Sequence, residues 1–259
     1  MNEPIDYSLF DRPEISTIMF YPQRVWSQAP PGSTDHMVPV GQDVAISTRF
    51  YVHDKQAPSI LFFHGNGEVA CQYDDIAPRY ATAGANLFAA DFRGYGQSGG
   101  QPSFSTMISD ARAVFEYFRD FLARDGYSGA LFVKGRSLGA HSALEVAARF
   151  QGELAGLITE SGSAALRRMA ERYDLGLDKE RLERTLAMHD EKVRSIRLPF
   201  LAIHGDADEL VPIETAIELY DAIDSDDKHI EIIPNAGHND LLWVGLEQYF
   251  DAVRKFISR

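Results

Sequence analysis

Residues 130–143 read ALFVKGRSLGAHSA, and the change of period inside that stretch decides the fold. Ala130 to Lys134 is a short apolar run of strand length that stops at Gly135. From Leu138 the small residues Ala140, Ser142 and Ala143 open a helical pattern that continues to Phe150. Between the two lies Gly135-Arg136-Ser137-Leu138-Gly139, a turn too sharp for side chains at either end. A strand that runs straight into a helix is half of a βα unit, and repeated units build a parallel sheet covered by helices on both faces.

The same alternation recurs in both directions from this turn. Strands are predicted over Val44 to Val52, Ser59 to Phe63, Asn86 to Ala90, Leu154 to Glu160, Phe200 to His204 and His229 to Ile233. Helices are predicted over Val69 to Ala83, Ser105 to Arg124, Pro212 to Ile223 and Leu241 to Ser258, with Pro212 suited to a first turn because it has no N–H to lose. The opening fifty residues are less regular: the turn-rich stretch Ala29 to Asp35 reads as lying between two antiparallel edge strands. One segment breaks the alternation. Ser161 to Leu198 places two helical patterns in succession, Leu166, Met169 and Tyr173 on the first and Leu182, Leu186, Val193 and Ile196 on the second. It reads as a small helical cap inserted within a single α/β domain spanning residues 1–259. With nine basic against seven acidic residues, the insertion is either a solvated face laced with i,i+4 pairs or a mildly cationic lid over a cleft.

Composition narrows the classes further. The 259 residues are 45% hydrophobic and 24% charged, enough for a sizeable core, and a net charge of −13 repels nucleic-acid phosphates and anionic lipid surfaces. The lone cysteine, Cys71, excludes an intrachain disulfide and reads as a small core thiol. Glu3, Asp6 and Asp11 stand where a secretory signal needs a basic start and an apolar stretch. Apolar runs of about five residues fall far short of the roughly 20 that span a bilayer. A soluble, cytoplasmic protein is the expectation.

In open parallel sheets ligands sit outside the carboxyl ends of the strands. Ser137 lies there, at a helix N-terminus whose free N–H groups favour developing negative charge. A serine hydroxyl needs a general base, normally a histidine whose tautomer a carboxylate fixes. Two later strand ends supply candidates: Gly205-Asp206-Ala207-Asp208-Glu209 and Ala236-Gly237-His238-Asn239-Asp240. His141, one helical turn past Ser137, points away from the hydroxyl, while His64 and His204 end strands; these three read as structural. The N–H of Leu138 is the first expected donor to a tetrahedral oxyanion, and a second should come from the turn His64-Gly65-Asn66-Gly67.

With FFHGNG (62–67), DFRGYGQSGG (91–100), GRSLG (135–139), HGDADELVP (204–212) and AGHND (236–240), the chain resembles the α/β-hydrolase superfamily over about residues 40 to 259. The resemblance is to the small serine esterases and thioesterases of its Bem46-like branch. It implies Ser137 as nucleophile, His238 as base, Asp208 rather than Asp206 as the acid, and Asn66 as the second oxyanion donor. It also implies a small-molecule acyl ester or thioester as substrate, with no cofactor. Two other readings compete. Gly65 to Ala70 also fits the glycine pattern of a dinucleotide-binding turn, with Asp91 as the ribose acid. A non-catalytic binding module on the same fold is the other, although such a chain would typically have lost one of the three residues. No His-x-x-x-His pair suggests a metal centre.

Overall fold

Alternate residues of a strand face opposite sides of a sheet, and all five residues of β3, Ser59–Phe63, are buried. Leu61 and Phe63 join one apolar cluster while Ile60 and Phe62 join a second. In a computed structural model, which describes residues 5–172 and 176–259, this strand lies inside an eight-stranded sheet. Its other strands are β1 Ser33–Gly41, β2 Val44–Tyr51, β4 Asn86–Ala90, β5 Leu131–Arg136, β6 Gly156–Glu160, β7 Phe200–Gly205 and β8 Lys228–Ile233. The spatial order is β1-β2-β4-β3-β5-β6-β7-β8, antiparallel at β1/β2 and β2/β4 and parallel elsewhere.

The chain leaves β3 toward one edge of the sheet and leaves β5 toward the other, so the loops after these neighbours diverge and open a crevice between them. Helices α3, Phe104–Arg124, and α4, Ala140–Arg149, cover one face through Met107, Ala111, Phe118 and Leu144. The Ser103 hydroxyl caps α3 by accepting from the Thr106 N–H. On the other face, α2, Ala77–Thr82, and α8, Leu241–Ile257, bury Tyr80, Tyr249, Val253 and Phe256. Helix α7, Ile213–Ala222, links β7 to β8, and Pro212 occupies its N-cap. No described helix is long and apolar enough to cross a membrane.

Several expectations change in detail. The segment 69–83 is two short pieces: a 3-10 turn at Ala70–Tyr73, then α2, with Pro78 in its first turn. Among the described residues, no strand precedes the Ala29 turn. Residues 13–19 form helix α1 instead, and the hairpin turn between the antiparallel edge strands lies at 41–44, where Asp43 adopts φ 60°. Pro30 and Pro31 cannot donate to a ladder, which is a physical reason for the strand to begin only at Ser33. Cys71 is half-buried, its thiol 3.8 Å from the Val25 carbonyl, so it packs at the edge of the core rather than within it.

Between β6 and β7 the chain forms α5, Leu166–Arg172, and α6, Lys179–Arg194. Leu166, Leu186, Val193 and Ile196 are buried as their spacing predicts; Tyr173 lies outside the described residues. Ion pairs of this stretch run between elements: Arg167 makes two 2.7 Å bonds to Glu183 on α6, and Arg168 reaches Glu218 on α7 at 2.9 Å.

Candidate active site

Glycines at both ends of the β5–α4 turn permit its closeness. A Cβ at residue 135 would lie 2.4 Å from the Gly139 carbonyl oxygen, and one at residue 139 would lie 2.2 Å from that of Phe63. Ser137, held between them, adopts φ 51°, a left-handed conformation that disfavours side chains and projects this one into the crevice beyond the sheet. The hydroxyl is half-buried, and its oxygen lies 3.0 Å from His238 Nε2. His238 Nδ1 lies 2.8 Å from Asp208 Oδ2. With Nδ1–H donating to the carboxylate, Nε2 is left to accept the serine proton, the tautomer a general base requires.

Three loops thus bring three side chains into one line. Of the acids in the β7 loop, Asp208 meets the imidazole, whereas Asp206 accepts the Asn235 N–H at 2.6 Å and shapes the turn after β8. The other oxygen of Asp208 accepts the N–H groups of Leu210 and Val211 at 2.9 and 2.8 Å. Burial pushes this carboxyl group's pKa up, but His204 Nε2 at 3.4 Å, His238 and the Val211 N–H outweigh it and hold it well below the usual carboxylate range. Asp208 is therefore an anion at neutral pH.

Leu138 follows Ser137 directly and is half-buried with it. Asn66 sits across the crevice on the β3 loop, where its Oδ1 accepts from the Tyr95 hydroxyl at 2.7 Å and the Tyr21 N–H at 2.9 Å. Its side chain is an anchor, which fixes the backbone of that turn. The remaining histidines are occupied or remote. His64 Nε2 lies 3.2 Å from Asp91, and His204 Nε2 lies 2.8 Å from the Val211 carbonyl oxygen. His141 is buried beside Phe104, with burial first and Lys192 second pushing its pKa down to about 3. Asp91, the ribose acid of the dinucleotide reading, is already engaged by the Ser47 hydroxyl, His64 and the Ala70 N–H.

Sequence reasoning passed over the charged residues beneath this line. Lys134 is fully buried, 2.5 Å from Glu160 and 4.0 Å from the centre of the Phe62 ring. Burial raises the Glu160 pKa, but Lys134 and Arg136 more than reverse this and bring it down to about 2. Arg136 donates to Glu160, Glu68, the His238 carbonyl and Asn239. The available signal was two cations at alternate positions of a strand buried on both faces, which demand buried counter-charges.

The Hydrolase_4 family model, described as serine aminopeptidase S33, matches residues 54–173 and 172–242. An uncharacterised Mycobacterium tuberculosis protein is 28% identical over 242 residues, covering 90% of this chain and 84% of its own. Protein bem46 of Schizosaccharomyces pombe is 26% identical over 205 residues, 78% of this chain and 67% of its own. Among solved structures, the Pyrococcus furiosus esterase Pf2001 superposes with a TM-score of 0.73 at 22% identity, over 92% of this chain and 98% of that one. The strand order, the serine turn at the β3/β5 crevice and a family match over most of the length lead to one assignment: the chain has an α/β-hydrolase fold, is related to the Bem46-like proteins, and belongs to the Hydrolase_4 family.

Proposed function

We propose that this protein is a serine hydrolase that cleaves carboxylic esters or thioesters through an acyl-enzyme. The observation that carries the reading is the continuous hydrogen-bonded line from Ser137 through His238 to Asp208. Ser137 Oγ attacks the acyl carbon while His238 Nε2 takes its proton, and Asp208 stabilises the imidazolium that results. The oxyanion is received by the backbone N–H groups of Leu138 and Asn66. Collapse expels the alcohol or thiol, which takes the proton from His238. Water then gives a proton to the same nitrogen and attacks the acyl carbon, which releases the acid and restores the serine.

An aminopeptidase would need a free carboxylate for the substrate's terminal ammonium. Asp91, Glu160, Asp208 and Glu68 are each committed to internal partners, which favours a substrate without that charge. The helical stretch 161–198, on this reading, caps a single domain and bounds the acyl pocket. Support comes from its start: it leaves the carboxyl end of β6, and a Cβ on Gly162 would lie 2.8 Å from that of Ala140, just behind the serine turn.

Treatment of the intact protein with a fluorophosphonate should modify Ser137, as located by peptide mapping. Acyl esters and thioesters of graded length would then rank the leaving group and acyl size. Modification at another residue, or none under conditions that label a control serine esterase, would remove the proposed nucleophile.

A further inference from the structure

We propose that Arg136 is a positioning residue that locks the oxyanion loop and the histidine loop into register with the nucleophile. This deepens the serine-hydrolase reading and rests on it. The side chain precedes Ser137, is about 10% exposed, and spans three other segments. Its Nε donates to Glu160 at the end of β6 at 3.1 Å. One terminal nitrogen donates to Glu68 on the loop after β3. The other donates at 3.0 Å to both the His238 carbonyl oxygen and Asn239 Oδ1, on the loop after β8.

Each contact is relayed to a reacting group by one further step. Glu68 Oε2 accepts the Gly65 N–H at 2.7 Å and the Tyr73 hydroxyl at 2.6 Å, so the turn that carries Asn66 hangs on a carboxylate that Arg136 holds. The bond to the His238 carbonyl acts on the backbone of the imidazole itself. Glu160 is fixed from behind by Lys134 at 2.5 Å and the Tyr249 hydroxyl at 2.7 Å, which gives the guanidinium a rigid seat. Gly65 has no side chain where one would intrude: a Cβ there would lie 2.5 Å from the guanidinium. A planar fork can serve all these acceptors together; an ammonium cannot.

The proposal separates from a merely structural role in kinetics per working site. Full-length Arg136→Met, Arg136→Lys and Glu68→Gln variants would be titrated with a fluorophosphonate to count competent sites, assayed on a short p-nitrophenyl ester, and melted. Arg136→Met should lower kcat per titrated site by about a hundredfold with KM within about threefold, the penalty of displacing catalytic groups by roughly an ångström. Lysine should recover no more than about a tenfold portion of that loss. Glu68→Gln, whose single oxygen can serve Arg136 or Gly65 but not both, should cost about tenfold and carries the test if the methionine variant fails to fold.

An unchanged kcat per titrated site overturns the proposal, as does a loss that only tracks the unfolded fraction. Full rescue by lysine would also overturn it, because charge alone would then suffice. If the wild-type chain is not labelled at Ser137, the hydrolase reading fails first and takes this inference with it. Labelling with undisturbed variants leaves the reading intact and removes only Arg136.

Discussion

Arg136 and Arg167 are both arginines bonded to carboxylates, yet they hold their surroundings in different ways. Arg136 makes four hydrogen bonds to three segments from a site shielded from water. Arg167 pairs with Glu183, and Arg168 with Glu218, with all four side chains about half exposed. Low polarisability around the first strengthens each bond, while solvent and salt screen the others. Among its described residues, the stretch 161–198 also has a buried polar cluster of its own. Tyr7 meets His189 Nδ1 at 2.9 Å and accepts from Lys192 at 2.8 Å, and Lys192 also bonds Glu145 at 2.8 Å. The rim of the sheet is thus fixed by several coupled polar contacts, and the helices beside it by a row of buried apolar side chains, a buried polar cluster and a solvated fringe.

The contrast is sharpened by substitutions that should change rate without changing stability. Ser137→Ala should lower kcat on a short p-nitrophenyl ester by up to about 10⁶-fold while its circular dichroism and melting temperature stay near wild type. An unchanged rate would break the contrast at its strongest point. Asp208→Asn should cost about 10⁴-fold, because the amide favours the wrong imidazole tautomer. A loss below tenfold in stopped-flow assays would show that another group orients His238.

Acid should act on the buried clusters rather than on the fringe. His141 has its pKa held down at about 3, so it stays neutral in the folded protein while an unfolded chain protonates it below its ordinary 6.5. The unfolded state then binds more protons, and stability falls as pH drops from 6.5 toward 3. Glu160, held at about 2 against an ordinary 4.5, adds a loss over the lower window from 4.5 to 2. Calorimetry across pH 7 to 3 should show the first loss, and His141→Phe should reduce its slope between pH 6.5 and 4.5 while leaving the part due to His189, whose pKa burial also pushes down. An identical profile in that variant would exclude His141 as its source.

Smaller effects test the helical stretch. Tyr7→Phe removes the hydroxyl between His189 and Lys192 and should cost about 1–3 kcal/mol in chemical denaturation. Arg168→Ala should leave the melting temperature unchanged within error. Should these two rank in the opposite order, the fringe rather than the buried cluster would be the anchor.

Much of the rim was legible because its signals are local. GRSLG marks a turn from a strand to a helix through five adjacent residues, and HGDADELVP and AGHND mark strand ends in the same way. The fold follows from those alternations plus the apolar runs of β3 to β8. What escaped was contact between distant stretches: Arg136 bonds Glu68, Glu160 and Asn239 across 24 to 103 positions, and Tyr7 bonds His189 across 182. No short-range pattern encodes such partners. The antiparallel edge was half legible: a strand does follow the diproline turn, but the described residues before that turn form no partner strand, and β1 pairs instead with β2 across a turn where Asp43 takes a left-handed conformation.

The torsion at Ser137 has one more consequence. Glycine would occupy φ 51° without steric penalty, so the residue that relaxes the bend is also one that removes the hydroxyl. Durability and reactivity therefore pull on position 137 in opposite directions, and any thermally hardened descendant of this chain must gain its resistance elsewhere in the molecule.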